Sequence, residues 1–192
     1  WMLMHHGTEE QKKKYLPKMA TGETRGAFSM SEPGTGSDVA AIKTKAVKGD
    51  DGDYTIDGQK MWLTNGGSSN LVAVLVKTDE GADSVYKNMT TFLVEKKEGF
   101  GETAQGVTIP GKIEKMGYKG VDTTEMIFEG AKISADQILG GEPGGDFAPA
   151  RAPAAHEEND DEGGGRGPQN ALGQHFAHVN FGEKLQIERQ EA

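Results

Sequence analysis

The sequence has no cysteine, which excludes disulfides, thiolate metal sites and cysteine nucleophiles together. It has no apolar run approaching the ~18 residues that a membrane-crossing helix needs, so no membrane span is expected. Trp1-Met2-Leu3-Met4 is too short and lacks the basic leader of a signal peptide. A chain that opens on Trp is expected to be a piece of something longer. Positive charge is also scarce: 21 basic side chains stand against 30 acidic ones, for a net charge of −9. Phosphate backbones are held by clustered positive faces, so nucleic acid is not an expected partner. The histidines at 5, 6, 156, 175 and 178 form neither H-E-x-x-H nor another ligand spacing, and no metal is expected. Part of the acidity is one run, Glu157 to Glu162, which reads as solvated tail.

What is present in excess is glycine. The 28 glycines among 192 residues are about twice the ordinary share. They fall into two groups, one at turn positions and one crowded after Gly140. The split predicts a folded part followed by an irregular one. Residues 8–20 predict a helix: Thr8 and Gln11 fit a capping box, Tyr15, Leu16 and Met19 recur at helical spacing, and Gly22 is a stop. Its lysines, Lys12, Lys13, Lys14 and Lys18, read as a solvated face.

From Arg25 to about Ile138 the period changes to two. Short β-prone runs (GAFSMS, AIKTKAV, DYTID, KMWLTN, LVAVLVKT, TTFLVEK, EMIFEG) alternate with turn residues. Asp57-Gly58 is read as a hairpin turn between YTI and QKMWLT, because a two-residue turn needs positive φ. Asp51-Gly52 and Asn65-Gly66-Gly67 punctuate the neighbouring runs. Leu71 to Val76 is apolar on both faces and predicts a strand buried on both sides. The fold class is therefore mainly β, an antiparallel barrel or sandwich over 25–140 behind a helical segment at 1–24. Residues 141–192 mix Gly, Pro, Ala and acidic side chains. They predict a disordered tail, with a short helix at 182–191 as its one candidate element.

Three segments can carry chemistry. In FSMSEPGTGSDV, residues 28–39, a strand runs into sharp bends whose glycines let N–H groups approach a ligand, with Ser31 and Ser37 as hydroxyl donors. It is not a dinucleotide fingerprint, and on pattern alone an ordinary tight turn is the leading reading. In KMWLTNGG, residues 60–67, alternation puts Trp62 and Thr64 on one face and Met61 and Leu63 on the other. An indole beside a hydroxyl suits a flat heteroaromatic ligand, although alone it reads first as a core tryptophan. In KMGYKGVDTTEMIFEG, residues 115–130, Asp122 to Glu125 reads as a turn before a strand.

In this order and spacing, EEQKKKYLPKMATGE, FSMSEPGTGSDVAAIKTKA, DGQKMWLTNGG and KMGYKGVDTTEMIFEG closely resemble the acyl-CoA dehydrogenase family, over about residues 6–144. The resemblance implies the end of an N-terminal helical domain, then a middle β-barrel with FAD between the barrel and a C-terminal helical domain. It implies that Phe28, Met30 and Ser31 lie along the flavin, with Ser31 bonding the pyrimidine edge. Ser37 would sit where acyl-CoA and the cofactor meet. Trp62 would stack on the isoalloxazine and Thr64 would bond near N5. Donors at those edges favour reduced flavin.

The implied activity is oxidation of acyl-CoA to 2,3-enoyl-CoA. Acyl-CoA is the implied substrate, electron-transfer flavoprotein the acceptor and a homo-oligomer the assembly, in a bacterial cytoplasm or the mitochondrial matrix. Two other readings stay open: a non-catalytic β-module that binds flavin or acyl-CoA, and an acyl-CoA oxidase or nitroalkane oxidase relative. The family's catalytic glutamate and its arginine to FAD belong to a helical region that the sequence after Gly144 does not match. No catalytic residue is assigned, and the chain alone is expected to be inactive.

Overall fold

The computed structural model describes residues 1–78 and 88–143. The tail expected to be disordered, and the candidate helix at 182–191, lie outside the described residues. Two helices open the chain, α1 (Met2–His6) and α2 (Glu9–Thr21). α2 begins where the capping box predicts: Thr8 Oγ1 accepts the Gln11 N–H at 3.2 Å and Gln11 Oε1 accepts the Thr8 N–H at 3.1 Å. It stops at Gly22, whose φ of 80° is left-handed and costs glycine little. α1 is a single turn, too short to show a period by itself, within the segment 1–24 expected to be helical.

Eight strands follow: β1 (Gly26–Ser29), β2 (Lys45–Lys48), β3 (Tyr54–Thr64), β4 (Leu71–Lys77), β5 (Met89–Glu95), β6 (Gly101–Ala104), β7 (Val107–Ile109) and β8 (Thr123–Ile133). They form one sheet in the order β1-β4-β2-β3-β8-β7-β6, with β5 also on β4, curled into a half-barrel. The mainly β expectation holds, with a correction. β1 runs parallel to β4, pairing Gly26 with Leu71 through Ser29 with Val74, and β2 meets β4 in parallel at Lys45–Lys77. Hairpin signals describe strands adjacent in sequence, whereas β1 reaches β4 only after the β2–β3 hairpin has intervened.

The Asp57-Gly58 turn is a second correction. The β2–β3 hairpin closes instead at Asp51-Gly52, where Gly52 has φ 90° and the Gly49 N–H reaches Asp53 O at 2.7 Å. Asp57-Gly58 lies inside β3, at a bulge facing Glu129 and Gly130. There the Asp57 carboxylate accepts the Gly130 N–H at 2.7 Å. Gly58 has φ 143°, and a Cβ on it would stand 2.7 Å from Thr44 Cα. Of the pair only Gly58 has positive φ, the extra residue of the bulge lies on β8, and β3 runs on through the pair without reversing. β6 and β7 escaped notice because each is too short to show alternation.

β4 is buried on both faces, as its composition predicts. Val72, Val74 and Val76 enter the half-barrel core with Ile56, Leu63, Phe92, Met126 and Phe128. On other faces Leu71 packs with Leu3, Tyr15, Leu93 and Leu139, and Leu75 with Ile42 and Met89. The outer edge of β5 is covered by the returning chain: Leu139 N–H bonds Thr91 O at 2.9 Å, which blunts an otherwise open edge.

Gln11 locks this return. Its side-chain amide donates to Asp136 O at 3.0 Å and Ile138 O at 2.6 Å, while its Oε1 accepts from Thr8 N and from Gly140 N at 3.2 Å. Gln11 is buried, so every capacity of the amide is filled inside the protein. Each buried polar group stranded by its loss costs ~1–3 kcal/mol. Gln11→Leu is expected to lower unfolding free energy by roughly 3 kcal/mol, measured by urea denaturation. A loss under about 1 kcal/mol would show that water replaces the amide.

Candidate functional site

The site grows from the end of β1. Ser29 is buried on the core side; Phe28 and Met30 are half-buried, with Met30 against Ile42, Leu75 and Met89. Beyond Ser31 the chain folds tightly around Pro33-Gly34. Glu32 N–H bonds Thr35 O at 2.8 Å and Thr35 N–H bonds Glu32 O at 3.0 Å. Ser37 lies exposed at the far end of this turn, before a 3-10 turn at Val39–Ala41.

Behind the turn is a buried ion pair. Lys60 on β3 is 0% exposed and Glu32 6%. Lys60 Nζ lies 2.9 Å from Glu32 Oε1 and donates to Met30 O at 3.0 Å. Glu32 also accepts the Lys43 N–H at 2.6 Å and the Thr44 N–H at 2.9 Å. Burial alone would raise the Glu32 carboxyl. The Lys60 ammonium, the Thr44 hydroxyl and these backbone donors outweigh it and hold the carboxyl below its ordinary pKa. Burial lowers the Lys60 ammonium, and Glu32 opposes that only in part.

Immediately after Lys60, β3 bulges: Met61 and Trp62 together face Glu125, between the pairs Lys60–Met126 and Leu63–Thr124. Trp62 has φ 64° and is 58% exposed, whereas Leu63 is 2% exposed. Thr64 is exposed again. Across this bulge exposure still alternates from 62 to 64. The Met61 N–H donates to Ser31 O at 2.9 Å, so the bulge and the end of β1 are joined. Of the residues singled out in the sequence, Ser31 is thus tied by its backbone to the residue before Trp62, and Thr64 follows two positions later on β3. Phe28 and Met30 lead towards Ser31 from β1, and Ser37 stands at the far end of the turn.

The segment after Thr64 is held from below. Asn65 has φ 62°, and a Cβ on Gly66 would strike the Thr124 hydroxyl. The Asp122 carboxylate accepts the Gly67 N–H at 3.0 Å and the Ser68 N–H at 2.9 Å. Lys96, nearly buried, donates to Ser69 O at 2.7 Å. Glu32, Lys60, Asp122 and Lys96 were not foreseen as parts of the site. Glu32 and Lys60 lay within the quoted segments as charges amid apolar or turn residues, and that oddity was the available signal.

A curled β-sheet follows two N-terminal helices, with Trp62 and Thr64 both exposed near the end of β3. Residues 27–131 match the family model described as acyl-CoA dehydrogenase, middle domain, and residues 1–23 the N-terminal domain model. The chain belongs to the acyl-CoA dehydrogenase family. It is 46% identical over 140 residues to a mitochondrial isovaleryl-CoA dehydrogenase of Oryza sativa subsp. japonica, covering 73% of this chain and 32% of that protein. The crystal structure of an acyl-CoA dehydrogenase from Geobacillus kaustophilus superposes with TM-score 0.68 at 42% identity, over 74% of this chain and 36% of that one. An acyl-CoA dehydrogenase from Bacillus anthracis complexed with FAD gives TM-score 0.65 at 35% identity, over 75% and 22%. The chain thus spans about a third of the rice relative's length.

The ion pair sets a pH dependence. The depressed carboxyl of Glu32 contributes stability above the ordinary glutamate pKa of ~4.3, and that contribution is lost as pH falls through its lower folded value. Protonation also strands a buried ammonium. Glu32→Gln is expected to cost about 3 kcal/mol near neutral pH, with the gap to the parent closing as pH falls below ~4. Urea unfolding across pH checks this; a gap that stays constant would mean the carboxylate charge does not contribute.

Proposed function

We propose that this chain forms the flavin-facing wall of an acyl-CoA dehydrogenase that oxidises acyl-CoA thioesters to 2,3-enoyl-CoA with FAD. Trp62 carries the reading. Left-handed backbone strains a large side chain by ~1–3 kcal/mol, and an indole left 58% exposed forgoes much of its burial. Such an arrangement fits a flat ligand with an aromatic face and polar edges. The isoalloxazine of FAD is such a ligand, and the relative complexed with FAD supports it.

When bound, FAD supplies a hydride acceptor at N5. The residues of this chain bind, orient and shield. Trp62 would stack on the ring and exclude water from one face, and Thr64 would donate a hydroxyl bond near N5. Ser31 would bond the pyrimidine edge, Phe28 and Met30 would line the ring, and Ser37 would lie where substrate and cofactor meet. Preorganised donors at these edges favour the reduced form. The carboxylates beside the bulge are already engaged: Glu32 by Lys60, and Glu125 by the Gln59 side-chain amide at 2.8 Å. Glu32 is buried and neutralised by Lys60, no residue of this chain is assigned as the base, and this chain alone is expected not to turn over. The intact protein would take acyl-CoA as substrate and pass electrons to electron-transfer flavoprotein. It would work as a homo-oligomer in a bacterial cytoplasm or the mitochondrial matrix.

Trp62→Ala is expected to weaken FAD affinity about tenfold, the value of one aromatic stack, read by fluorescence titration. In the full-length protein Thr64→Ala should chiefly slow flavin reduction by acyl-CoA in anaerobic stopped-flow. Unchanged affinity, spectrum and reduction rate in both variants would leave Trp62 a surface residue and the reading without support. Mixing the chain with excess FAD, an acyl-CoA series and an artificial acceptor should give no turnover near the ~10 s⁻¹ of a median enzyme. In the full-length protein without added free FAD, peroxide formed with acyl-CoA would favour the oxidase relatives, and FAD binding without any reduction a non-catalytic module.

A further inference from the structure

We infer that the buried Lys60–Glu32 pair is a positioning device that fixes the turn carrying Ser31 against the bulge carrying Trp62. The inference rests on the function proposed above, since those two segments are the polar and aromatic halves of the cofactor wall. Lys60 immediately precedes the bulge, and its ammonium bonds Met30 O at 3.0 Å and Glu32 Oε1 at 2.9 Å. It therefore grips the backbone on one side of Ser31 and the side chain on the other. β1 takes its strand pairing from β4, and the backbone bond that ties Ser31 to β3 is Met61 N–H to Ser31 O at 2.9 Å.

The other side of the turn is anchored through the same carboxylate, by the N–H groups of Lys43 at 2.6 Å and Thr44 at 2.9 Å. Glu32 thus ties three segments to one point, and Lys60 supplies the countercharge without solvent contact. Apolar residues of similar volume fill such a space at equal or better stability. What they do not supply is direction: two bonds from one ammonium define where residues 30 and 32 sit relative to β3. Trp62 at φ 64° needs that over-determination, because strained backbone persists only where its surroundings dictate it. Lys60 is accordingly a positioning residue, acting on the cofactor wall through Ser31 and Trp62.

Trp1→Phe leaves Trp62 as the single tryptophan of the chain, and in that background the parent is compared with Lys60→Met and Lys60→Arg. Lys60→Met is expected to speed hydrogen exchange of the Met61 amide about tenfold more than that of the Val74 amide in β4, whose acceleration reads the loss of global stability. It should also change acrylamide quenching of Trp62 and raise the FAD dissociation constant about tenfold. Lys60→Arg, which keeps the charge and its donors, should restore part of the Met61 protection. If Lys60→Met does not fold, Glu32→Gln, which keeps one acceptor oxygen, carries the same comparison. Unchanged Met61 exchange and Trp62 quenching in a folded variant would overturn the inference. So would equal acceleration of Met61 and Val74, which marks general loss of stability. A parent chain that binds no FAD would defeat the proposed function, while the Met61 and Trp62 readouts would still decide whether the pair positions these segments.

Discussion

An ammonium and a carboxylate share a space from which water is excluded, and the arrangement around them follows from that. Taking both charges out of water costs several kcal/mol per ion, so each must find its bonds inside the protein. Lys60 finds Met30 O and Glu32; Glu32 finds Lys60 and two backbone N–H groups. Those requirements draw the end of β1, the turn around Pro33-Gly34, the start of β2 and the middle of β3 to one point. The bulge at Met61-Trp62 lies one residue beyond it, where the strand turns its indole outward. Removing either charge leaves the other buried and uncompensated, which is why the pair resists piecemeal change.

The curl of the sheet answers a different constraint. β4 carries apolar side chains on both faces, and neither face can be left wet. One is covered by the half-barrel core, the other by α1, α2 and the segment ending at Leu139. The helices are therefore part of the β-domain's burial. The Tyr15 hydroxyl bonds Glu95 at 2.7 Å at the same seam. Burial and that carboxylate push the Tyr15 hydroxyl up to about 12, so it stays a donor throughout the physiological range.

Legibility in the sequence followed the range of each interaction. The start and stop of α2 were readable because a capping box and a left-handed glycine act within a few residues. The two-sided burial of β4 was readable because composition alone signals it. Asp57-Gly58 misled because positive φ is shared by hairpin turns and bulges, and only the distant partner Gly130 decides which one forms. The parallel pairing of β1 was equally hidden, being set by a partner beyond the next hairpin. At the site, the segments around Ser31, Ser37, Trp62 and Thr64 stood out by their residue types. Glu32 and Lys60 did not, since they lie 28 positions apart and no local pattern announces that two charges will meet indoors.

The Gln11 clamp bears on how the chain comes off the ribosome. Its bonds to Asp136 O and Ile138 O join residues 125 and 127 positions apart, so nearly all of the β-domain is synthesised between the two halves of the clasp. Domains emerge at ~5–20 residues per second, which leaves α2 without its anchor for on the order of ten seconds. In the later part of that interval, once they have been made, the outer faces of Leu71 and Leu93 have no returning segment to cover them, and β5 presents an unblunted edge. Nascent chains in that state are where strand-edge association and chaperone capture occur. The last described residues thus close a window of vulnerability that the N-terminal helices alone cannot shut.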